Sequence, residues 1–359
     1  MSKRSIVPFG PQHPVLPEPI HLDLVLEDEK VVQAVPSIGF VHRGLEKLVE
    51  KKDYQEYVYV AERICGICSF MHGMGYCEAV ERIMNIEIPD RAKFLRVIWA
   101  EMSRIHSHLL WLGLTADAFG FESLFMESWK MREKILDMFE YSTGGRVIFS
   151  VNKIGGQRKD MDDDMIKMFV KLFGEMESDL RELTNTFLQD YSVNTRLRDV
   201  GFLTKEQAHD LGAVGPMMRA SGISLDTRKM GYAAYPEIKF EPVTSNVGDS
   251  YARVDVRIKE IFQSIDIIRQ AAEKIPAGTV DVPVKGMPDG EFMMRVEQPR
   301  GEAVYYVKAN GTKFLDRVRV RTPTFANLPA LLETLKGCQL ADVPILILTI
   351  DPCISCTER

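Results

Sequence analysis

The sequence predicts one mainly α domain of the α+β class, spanning residues 1–359. Apolar residues recur at helical spacing from Cys68 to about Tyr191, which predicts a central helix bundle. Alternating apolar and polar residues in two short regions predict an N-terminal β-hairpin and a small sheet in the C-terminal half. Two C-x-x-C pairs lie near opposite ends of the chain. If they share one site, the segment that carries the second pair must be buried at that site.

The composition excludes several classes of protein. Of the residues, 45% are hydrophobic and 27% are charged, as in ordinary globular proteins. A net charge of −6 argues against a nucleic-acid-binding protein. The longest apolar run, Val343–Ile350, is far shorter than the roughly 20 residues of a membrane span. The polar, proline-broken start has no signal-peptide character, so we expect a soluble cytosolic chain that can dock on membrane partners.

The N-terminal half divides into a hairpin and a series of helices. His21–Glu27 and Lys30–Val35 alternate on either side of Asp28-Glu29 and predict the hairpin. Apolar spacing, with Pro89 at one helix start and Gly144-Gly145 after one helix end, predicts the helices that follow. We expect them at Phe40–Lys52, at Tyr54–Arg63, from Cys68, from Pro89, at Glu122–Tyr141 and at Met161–Tyr191.

The C-terminal half combines a loop-rich region with helices and a small sheet. Thr204 and Gln207 form a capping-box pattern for a short helix. Further helices are expected at Asp255–Lys274 and Asn327–Lys336, and strands at Phe292–Val296, Ala303–Val307, Phe314–Val320 and Val343–Leu348. Within the single domain we distinguish four segments. They are the N-terminal hairpin and helices (1–60), a helical core (61–200), a loop-rich region with a helix (201–290) and the small sheet with the C-terminal metal-ligand segment (291–359).

The four paired cysteines form a candidate metal site: Cys65, Cys68, Cys353 and Cys356. Local zinc loops place their two pairs within about 20 residues, unlike these pairs. Thiolates are soft ligands and select zinc, copper(I), iron–sulfur clusters or a nickel–iron centre. Zinc is the common occupant, but structural zinc stabilises small folds, and a large helical core does not require it. The cysteine spacing alone leaves these metals open.

Polar residues flank both cysteine pairs. Cys68 begins a helix, and the positive helix N-terminus favours a thiolate there. His72 lies one turn later on the same face, within reach of a cysteine sulfur. Asp351-Pro352 precedes the second pair, where proline fixes one backbone angle and the carboxylate can accept hydrogen bonds.

The motifs around the cysteines resemble the two metal-binding signatures of nickel–iron hydrogenase large subunits. They read Arg63-Ile-Cys65-Gly-Ile-Cys68-x-x-x-His72 and Asp351-Pro-Cys353-x-x-Cys356-x-x-Arg359. Other motifs are similar to the energy-converting, membrane-bound (Ech-type) hydrogenases and to the quinone-site subunit of respiratory complex I, which lacks the cysteines. These are Gly10-Pro-Gln-His13-Pro, Gly215-Pro-Met-Met-Arg219-Ala-Ser-Gly, Gly248-Asp-Ser-Tyr251-Ala-Arg253 and Glu297-Gln-Pro299-Arg300-Gly. The resemblance covers essentially the whole chain and implies the large, catalytic subunit of an Ech-type hydrogenase.

The resemblance also implies a nickel–iron centre with carbon monoxide and cyanide on the iron. In that family pattern Cys65 and Cys353 bind nickel terminally, and Cys68 and Cys356 bridge nickel and iron. The resemblance places Arg300, Pro299 and Thr324 beside the carbon monoxide and cyanide ligands of the iron. It places Asp351 and Asp117 among the carboxylates near Arg300.

Proton transfer and a third metal are further implications of the resemblance. Cys353 would be the base that takes a proton from H2, with Arg300 as the competing candidate, and Glu18 would relay that proton outward. His72 belongs with these catalytic residues. Glu46 would be a ligand of an additional magnesium or iron ion. Relatives carry a histidine where this chain has Arg359, and a cationic side chain is a poor cation ligand, which argues against the third metal.

The remaining cysteines bear on the partners. Only Cys77 and Cys338 are left, too few to bind an ordinary iron–sulfur cluster, so we expect no such cluster in this chain. The resemblance supplies the electron carriers as a small subunit with a 4Fe–4S cluster and a ferredoxin-type iron–sulfur subunit. It also implies integral membrane ion-translocating subunits and ferredoxin as redox partner. The chain would then lie at the cytoplasmic face of the cell membrane.

Two rival functions remain open from the sequence. The first is a non-catalytic scaffold like the complex I quinone-site subunit, which the four intact cysteines argue against. The second is a structural zinc protein whose thiolates stabilise a partner-binding surface. Equal amounts of nickel and iron in the protein would favour the hydrogenase over both.

Overall fold

A computed structural model describes residues 4–16 and 18–359 of the chain. About half of the residues are helical and about 15% lie in strands, in a single domain. The predicted α+β fold is therefore confirmed, whereas the division into four segments stays a prediction. No helix among the described residues combines the length and apolar character needed to cross a bilayer.

Twelve α-helices form within the described residues. In chain order they are α1 (Tyr57–Glu62), α2 (Ser69–Met84), α3 (Asp90–Ala118), α4 (Glu122–Thr143), α5 (Asp163–Gln189), α6 (Tyr191–Leu197), α7 (Lys205–Asp210), α8 (Pro216–Arg219), α9 (Ser250–Lys274), α10 (Pro323–Thr334), α11 (Val343–Thr349) and α12 (Ile354–Glu358). The predicted capping box is present at α7, where Thr204 and Gln207 bond each other's backbone N–H groups.

The helical core is built around α3. This helix has 29 residues and is buried on nearly all sides, because α2, α4, α9 and α11 pack around it. Trp99 and Trp111 are fully buried on it, and each indole N–H has an acceptor, as a buried indole requires. At the end of α4, Gly144 adopts a left-handed φ of 85°, which ends the helix as predicted.

Three antiparallel sheets flank this core. The N-terminal sheet has the order β1 (Arg4–Phe9), β2 (His21–Glu27) and β3 (Lys30–Ser37), which confirms the hairpin and adds an unpredicted strand. Next in the chain comes a two-stranded ribbon of β4 (Asn152–Lys153) and β5 (Gly156–Gln157). The predicted C-terminal-half sheet is present, with β6 (Asp289–Gln298), β7 (Gly301–Asn310) and β8 (Leu315–Arg321) in that order.

Two local predictions are wrong. Phe40–Lys52 forms no α-helix, only a 3₁₀ turn at Lys47–Glu50, because Gly39 and Gly44 adopt positive φ values that interrupt a helix. Val343–Leu348 is not a strand but most of helix α11. A short buried apolar run does not distinguish strand from helix, and Pro344 occupies the first helical turn, where proline is tolerated.

Arg219 and Glu297, which belong to two of the family-like motifs, meet inside the protein in a buried charge network. Arg219 donates to Glu260 at 2.7 Å and to Glu297 at 2.7 Å, and Glu260 also bonds His108 at 3.0 Å. All four side chains are at most 1% exposed. These paired charges, together with the His108 hydrogen bond, join α3, α8, α9 and β6.

Candidate metal centre

The four paired cysteines meet in one buried cluster. Cys65, Cys68 and Cys356 place their Sγ atoms within 4.8 Å of one another, and the Sγ atoms of Cys353 and Cys65 are 3.3 Å apart. All four residues are at most 4% exposed, and all are free thiols. Four soft sulfur atoms at this spacing form a donor set that fits a soft or borderline metal.

The second cysteine pair is held in place by the segment at residues 39–46, which we call the clasp. The Glu358 carboxylate accepts hydrogen bonds from the backbone N–H groups of Gly39 and Val41, and His42 Nδ1 lies 2.7 Å from the Glu358 carbonyl oxygen. Arg43 donates to the Ser355 carbonyl at 3.0 Å and also to the carbonyls that precede Cys65. The clasp therefore ties α12 to the loop that carries the first pair.

The cluster is poorly suited to hold several negative charges by itself. Hydrogen bonds from Cys353, Cys356 and Cys68 hold the pKa of the Cys65 thiol well below its usual range. Burial, together with the neighbouring sulfurs, raises the pKa of the Cys356 thiol well above that range. One thiolate is thus stabilised by the three other thiols, and further ionisation requires added positive charge. A bound metal cation would supply that charge.

Arg300 provides one positive charge at the cluster. It lies with Pro299 in the two-residue turn between β6 and β7, and both residues are buried. Its Nη1 is 3.2 Å from Cys68 Sγ and 3.3 Å from Ser107 Oγ. Asp351 accepts from the same guanidinium twice, at its carbonyl and at Oδ1, each over 2.8 Å. Burial would lower the pKa of Arg300, but Asp351 and the cysteine sulfurs raise it well above its usual range.

Two glycines let the Arg300 turn pack tightly. A Cβ on Gly215 would lie 2.2 Å from the Cα of Gly301, far inside contact distance, and Gly215 has a φ of +64°. The two family-like motifs that contain these glycines therefore meet backbone to backbone. This contact fixes the turn that presents Arg300 to the sulfurs.

His72 contacts the cluster from α2. Its Nε2 lies 3.3 Å from Cys356 Sγ, and its Nδ1 bonds the Tyr305 hydroxyl. Burial lowers the pKa of His72 to about 4. The imidazole is therefore neutral near pH 7, with one ring nitrogen as donor and the other as acceptor.

Glu18 reaches the cluster from the loop between β1 and β2. Its Oε1 is 3.9 Å from Cys353 Sγ, and its other oxygen accepts from the backbone N–H groups of Ile354 and Ser355. Burial, followed by the negative charge on Cys65, raises the pKa of the Glu18 carboxyl. A carboxyl with raised proton affinity beside a thiol can exchange a proton with it.

Of two other residues named from the sequence, Thr324 contacts a cluster cysteine and Asp117 does not lie near Arg300. Thr324 lies at the start of α10, and its hydroxyl accepts from the Cys353 N–H at 3.1 Å. Asp117 is exposed near the end of α3. Ser107, the α3 residue that contacts Arg300, is ten positions earlier, about 15 Å along the helix. The expectation that Asp117 lies near Arg300 is therefore wrong.

The predicted third cation site at Glu46 does not fit a metal. Glu46 Oε1 accepts from Arg359 Nε at 2.9 Å and from the Val320 N–H at 2.9 Å, while Oε2 accepts from Arg319 at 2.8 Å. Burial raises the pKa of Glu46, but the two arginines outweigh it and lower the pKa overall. Two guanidinium groups already neutralise this carboxylate, so a divalent cation would have to displace at least one.

Sequence reasoning missed Tyr305, Ser107 and the hydrogen bonds by which the clasp holds the second cysteine pair. Tyr305 is one of several alternating apolar positions on β7, so its pattern is that of an ordinary core residue. Ser107 is one small residue on a helix that is buried on nearly all sides. Gly39 and Gly44 interrupt the clasp, and no periodic pattern marks its polar residues.

The chain matches two family models. Residues 118–285 and 283–359 match the respiratory-chain NADH dehydrogenase 49 Kd subunit, and residues 43–115 match the nickel-dependent hydrogenases. The first cysteine pair thus lies in the hydrogenase match and the second pair in the NADH dehydrogenase match.

Relatives with similar sequences and structures cover nearly the whole chain. Membrane-bound hydrogenase subunit alpha of Pyrococcus furiosus is 38% identical over 98% of this chain and 87% of that protein. The carbon monoxide-induced hydrogenase of Rhodospirillum rubrum is 38% identical over 98% of this chain and 99% of its own length. A chain from the structure of the membrane-bound sulfane sulfur reductase, an archaeal respiratory membrane complex, has a TM-score of 0.94 at 30% identity. That alignment covers 99% of this chain and 98% of the other.

Proposed function

We propose that this chain is the catalytic subunit of an energy-converting nickel–iron hydrogenase. The chain belongs to the family that unites membrane-bound nickel-dependent hydrogenase subunits with the 49 Kd subunit of respiratory-chain NADH dehydrogenase. Its reaction would be the reversible cleavage and formation of H2. The observation that carries this proposal is the buried four-sulfur cluster, whose two halves come from positions 288 residues apart.

The four cysteines would hold nickel and iron. Cys65 and Cys353 would bind nickel terminally, and Cys68 and Cys356 would bridge it to iron. When bound, the metal pair supplies Lewis acidity that polarises H2 and allows its proton to be removed. Arg300, Pro299 and Thr324 would contact carbon monoxide and cyanide on the iron. In support, Arg300 Nη1 lies 3.2 Å from Cys68 Sγ, and Thr324 bonds the Cys353 backbone.

Proton movement would fall to residues of this chain. The Cys353 thiolate would accept the proton, and Glu18, 3.9 Å away, would take it outward. Burial raises the pKa of Glu18, so its carboxyl holds a proton more strongly than an ordinary glutamate and is better suited to exchange one with the thiol. Arg300 stays a cation because its pKa is raised, so it would orient Asp351 and stabilise the thiolates rather than act as the base.

Electrons would pass to other polypeptides. Cys77 is buried in the helical core and Cys338 in a separate apolar cluster against the N-terminal sheet. Neither can complete an iron–sulfur ligand set here. The partners would be a small subunit with a 4Fe–4S cluster, a ferredoxin-type subunit and integral membrane subunits that move ions. Ferredoxin would be the redox partner, and the complex would lie at the cytoplasmic face of the membrane.

A quinone-site scaffold without hydrogenase activity is the second candidate. The match of residues 118–359 to the 49 Kd subunit favours it. The scaffold role gives no reason for four converging thiols, two of them held by Arg300 and His72, so the hydrogenase remains our proposal.

Exchange between deuterium gas and water protons tests the proposal. The purified complex, matured with nickel, should form HD, and Cys353→Ser should abolish the exchange. The matched Cys338→Ala variant, which removes a buried thiol outside the cluster, should exchange like the wild type. A nickel-matured wild-type complex without exchange would favour the scaffold.

A further inference from the structure

Tyr305 contacts His72 at the ring nitrogen that does not face Cys356. It lies on β7, its side chain is fully buried, and its hydroxyl bonds His72 Nδ1. The two rings meet edge to face, with centroids 6.0 Å apart and planes at 76°. Tyrosine, histidine and cysteine therefore form one continuous chain of polar contacts, Tyr305–His72–Cys356.

Gly75 makes room for this contact. A Cβ at Gly75 would lie 2.5 Å from the Tyr305 ring, so any larger residue on this face of α2 would push the ring away. Because His72 is one turn earlier on the same helix, the absence of a side chain at Gly75 lets the Tyr305 phenol pack close enough to bond His72. The chain of contacts is thus fixed by backbone packing as well as by hydrogen bonds.

The direction of these hydrogen bonds follows from the donors and acceptors. Burial keeps the pKa of Tyr305 well above its usual range, so its O–H is retained and requires an acceptor. His72 Nδ1 is that acceptor, which places the ring proton on Nε2. The Nε2–H then points at Cys356 Sγ, 3.3 Å away.

The Gln298 amide also faces His72 Nε2, with its own Nε2 at 3.5 Å. An NH2 group in that place would donate to the ring and favour the opposite tautomer, but the buried Gln298 Oε1 then has no hydrogen-bond partner. With the amide turned over, Oε1 can accept from the His72 Nε2–H, in agreement with the tautomer that Tyr305 selects. If the imidazole were reversed, with its proton on Nδ1, the buried Tyr305 O–H would lose its acceptor. The phenol therefore selects one of the two neutral forms of the imidazole.

We propose that Tyr305 is a positioning residue that locks His72 in the tautomer donating Nε2–H to the Cys356 sulfur. This rests on the proposed function only in what it adds for catalysis. If Cys356 bridges nickel and iron, the hydrogen bond withdraws electron density from a bridging sulfur and raises the reduction potential of the centre. The Tyr305 hydroxyl bonds His72 and not a cluster sulfur, so Tyr305 acts through His72.

Nitrogen-15 spectroscopy of the histidines tests the tautomer in the full chain without metal. The chain has seven histidines, and His72→Gln identifies the His72 signal by its loss. The wild type should show a protonated Nε2 and an unprotonated Nδ1. Tyr305→Phe keeps the ring against Gly75 but removes the donor, so His72 should become a mixture of tautomers or change to Nδ1–H. Tyr76→Phe, which removes a buried hydroxyl that bonds the Tyr54 carbonyl, should leave His72 unchanged.

Infrared spectra of the metal-loaded complex test the electronic consequence. In Tyr305→Phe, a more electron-rich sulfur should shift the carbon monoxide and cyanide bands to lower frequency by a few wavenumbers, whereas Tyr76→Phe should not shift them. Tyr305→Phe with a wild-type tautomer would overturn the positioning role, and unshifted bands would overturn its effect on the centre. Complete absence of such bands would defeat the proposed function, and the tautomer measurement would then decide the positioning role alone.

Discussion

Arg359 Nε donates a hydrogen bond to Glu46 Oε1 over 2.9 Å, although the two residues lie 313 positions apart in the chain. Arg319 bonds the other oxygen of the same carboxylate. The resemblance assigned Glu46 to a third metal ion, but here an internal guanidinium occupies its carboxylate. An ion pair within the protein thus adds to the hydrogen bonds that hold the clasp against α12, at the residue that follows this helix.

Removing this ion pair should loosen the C-terminal segment. Arg359→Ala should cost about 1–2 kcal/mol of unfolding free energy, because it removes a charge-assisted hydrogen bond that is largely buried. Arg319→Ala is the matched control, since it donates to the same carboxylate from a side chain that is 58% exposed, and its effect should be smaller. Thermal melting of both variants measures the difference. A larger loss in Arg319→Ala would contradict the arrangement.

Glu62 should make stability depend on pH. The residue is 1% exposed on α1, against Gly73 of α2, and burial raises the pKa of its carboxyl from 4.5 to about 7. A raised folded-state pKa means that its contribution is fully present below pH 4.5 and is lost as the pH rises through about 7. The loss amounts to about 3 kcal/mol.

Glu62→Gln should remove this dependence. The melting temperature of the wild type should fall relative to Glu62→Gln as the pH rises from about 5 to 8. Glu50→Gln, which changes a more exposed carboxylate paired with Lys47, is the control and should follow the wild type. Parallel curves for the wild type and Glu62→Gln would show that Glu62 does not titrate in this range.

Glu18→Gln should slow hydrogen chemistry without disturbing the site. The amide oxygen can still accept from the Ile354 and Ser355 N–H groups, so the local fold is retained. Loss of the proton-carrying group should reduce H2 evolution by about 10²- to 10⁴-fold. Metal content should remain at the wild-type level. Full activity in this variant would assign the proton route to other residues.

The cluster cysteines should be required for metal retention. Cys68→Ser and Cys356→Ser each remove a soft donor that serine replaces poorly, so metal analysis should show loss of nickel and iron. Cys77 lies in the core outside the cluster, so the Cys77→Ala variant should retain both metals. Retention of nickel by either serine variant would contradict the assignment of that cysteine.

The sequence predicted most of the fold because most elements carry their own signal. Helix α4 and its glycine stop, the capping box of α7 and the three strands of the C-terminal-half sheet were located from local pattern. Helix α11 was mistaken for a strand because its seven residues are too few to show a helical period. The segment after Gly39 failed because backbone conformation at glycine is decided by tertiary contacts.

The candidate site was predictable as far as its motifs extend. Both cysteine pairs, His72, Arg300 and Glu18 carry a local signature, and the structure brings them together. Tyr305 and the pairing of Glu46 with Arg359 depend on contacts between distant segments, which no local pattern encodes. Asp117 illustrates the opposite error, since a carboxylate with a weak match lies about 15 Å along α3 from the residue that contacts Arg300.

Metal analysis combined with infrared spectroscopy of the purified complex tests the central claim most directly. Four converging thiols beside Arg300 predict nickel and iron in equal amounts, with bands from bound carbon monoxide and cyanide. The pairing of Glu46 with Arg359 and Arg319 also predicts no stoichiometric magnesium or second iron at Glu46. Zinc alone, or a protein without nickel after maturation, would contradict the account.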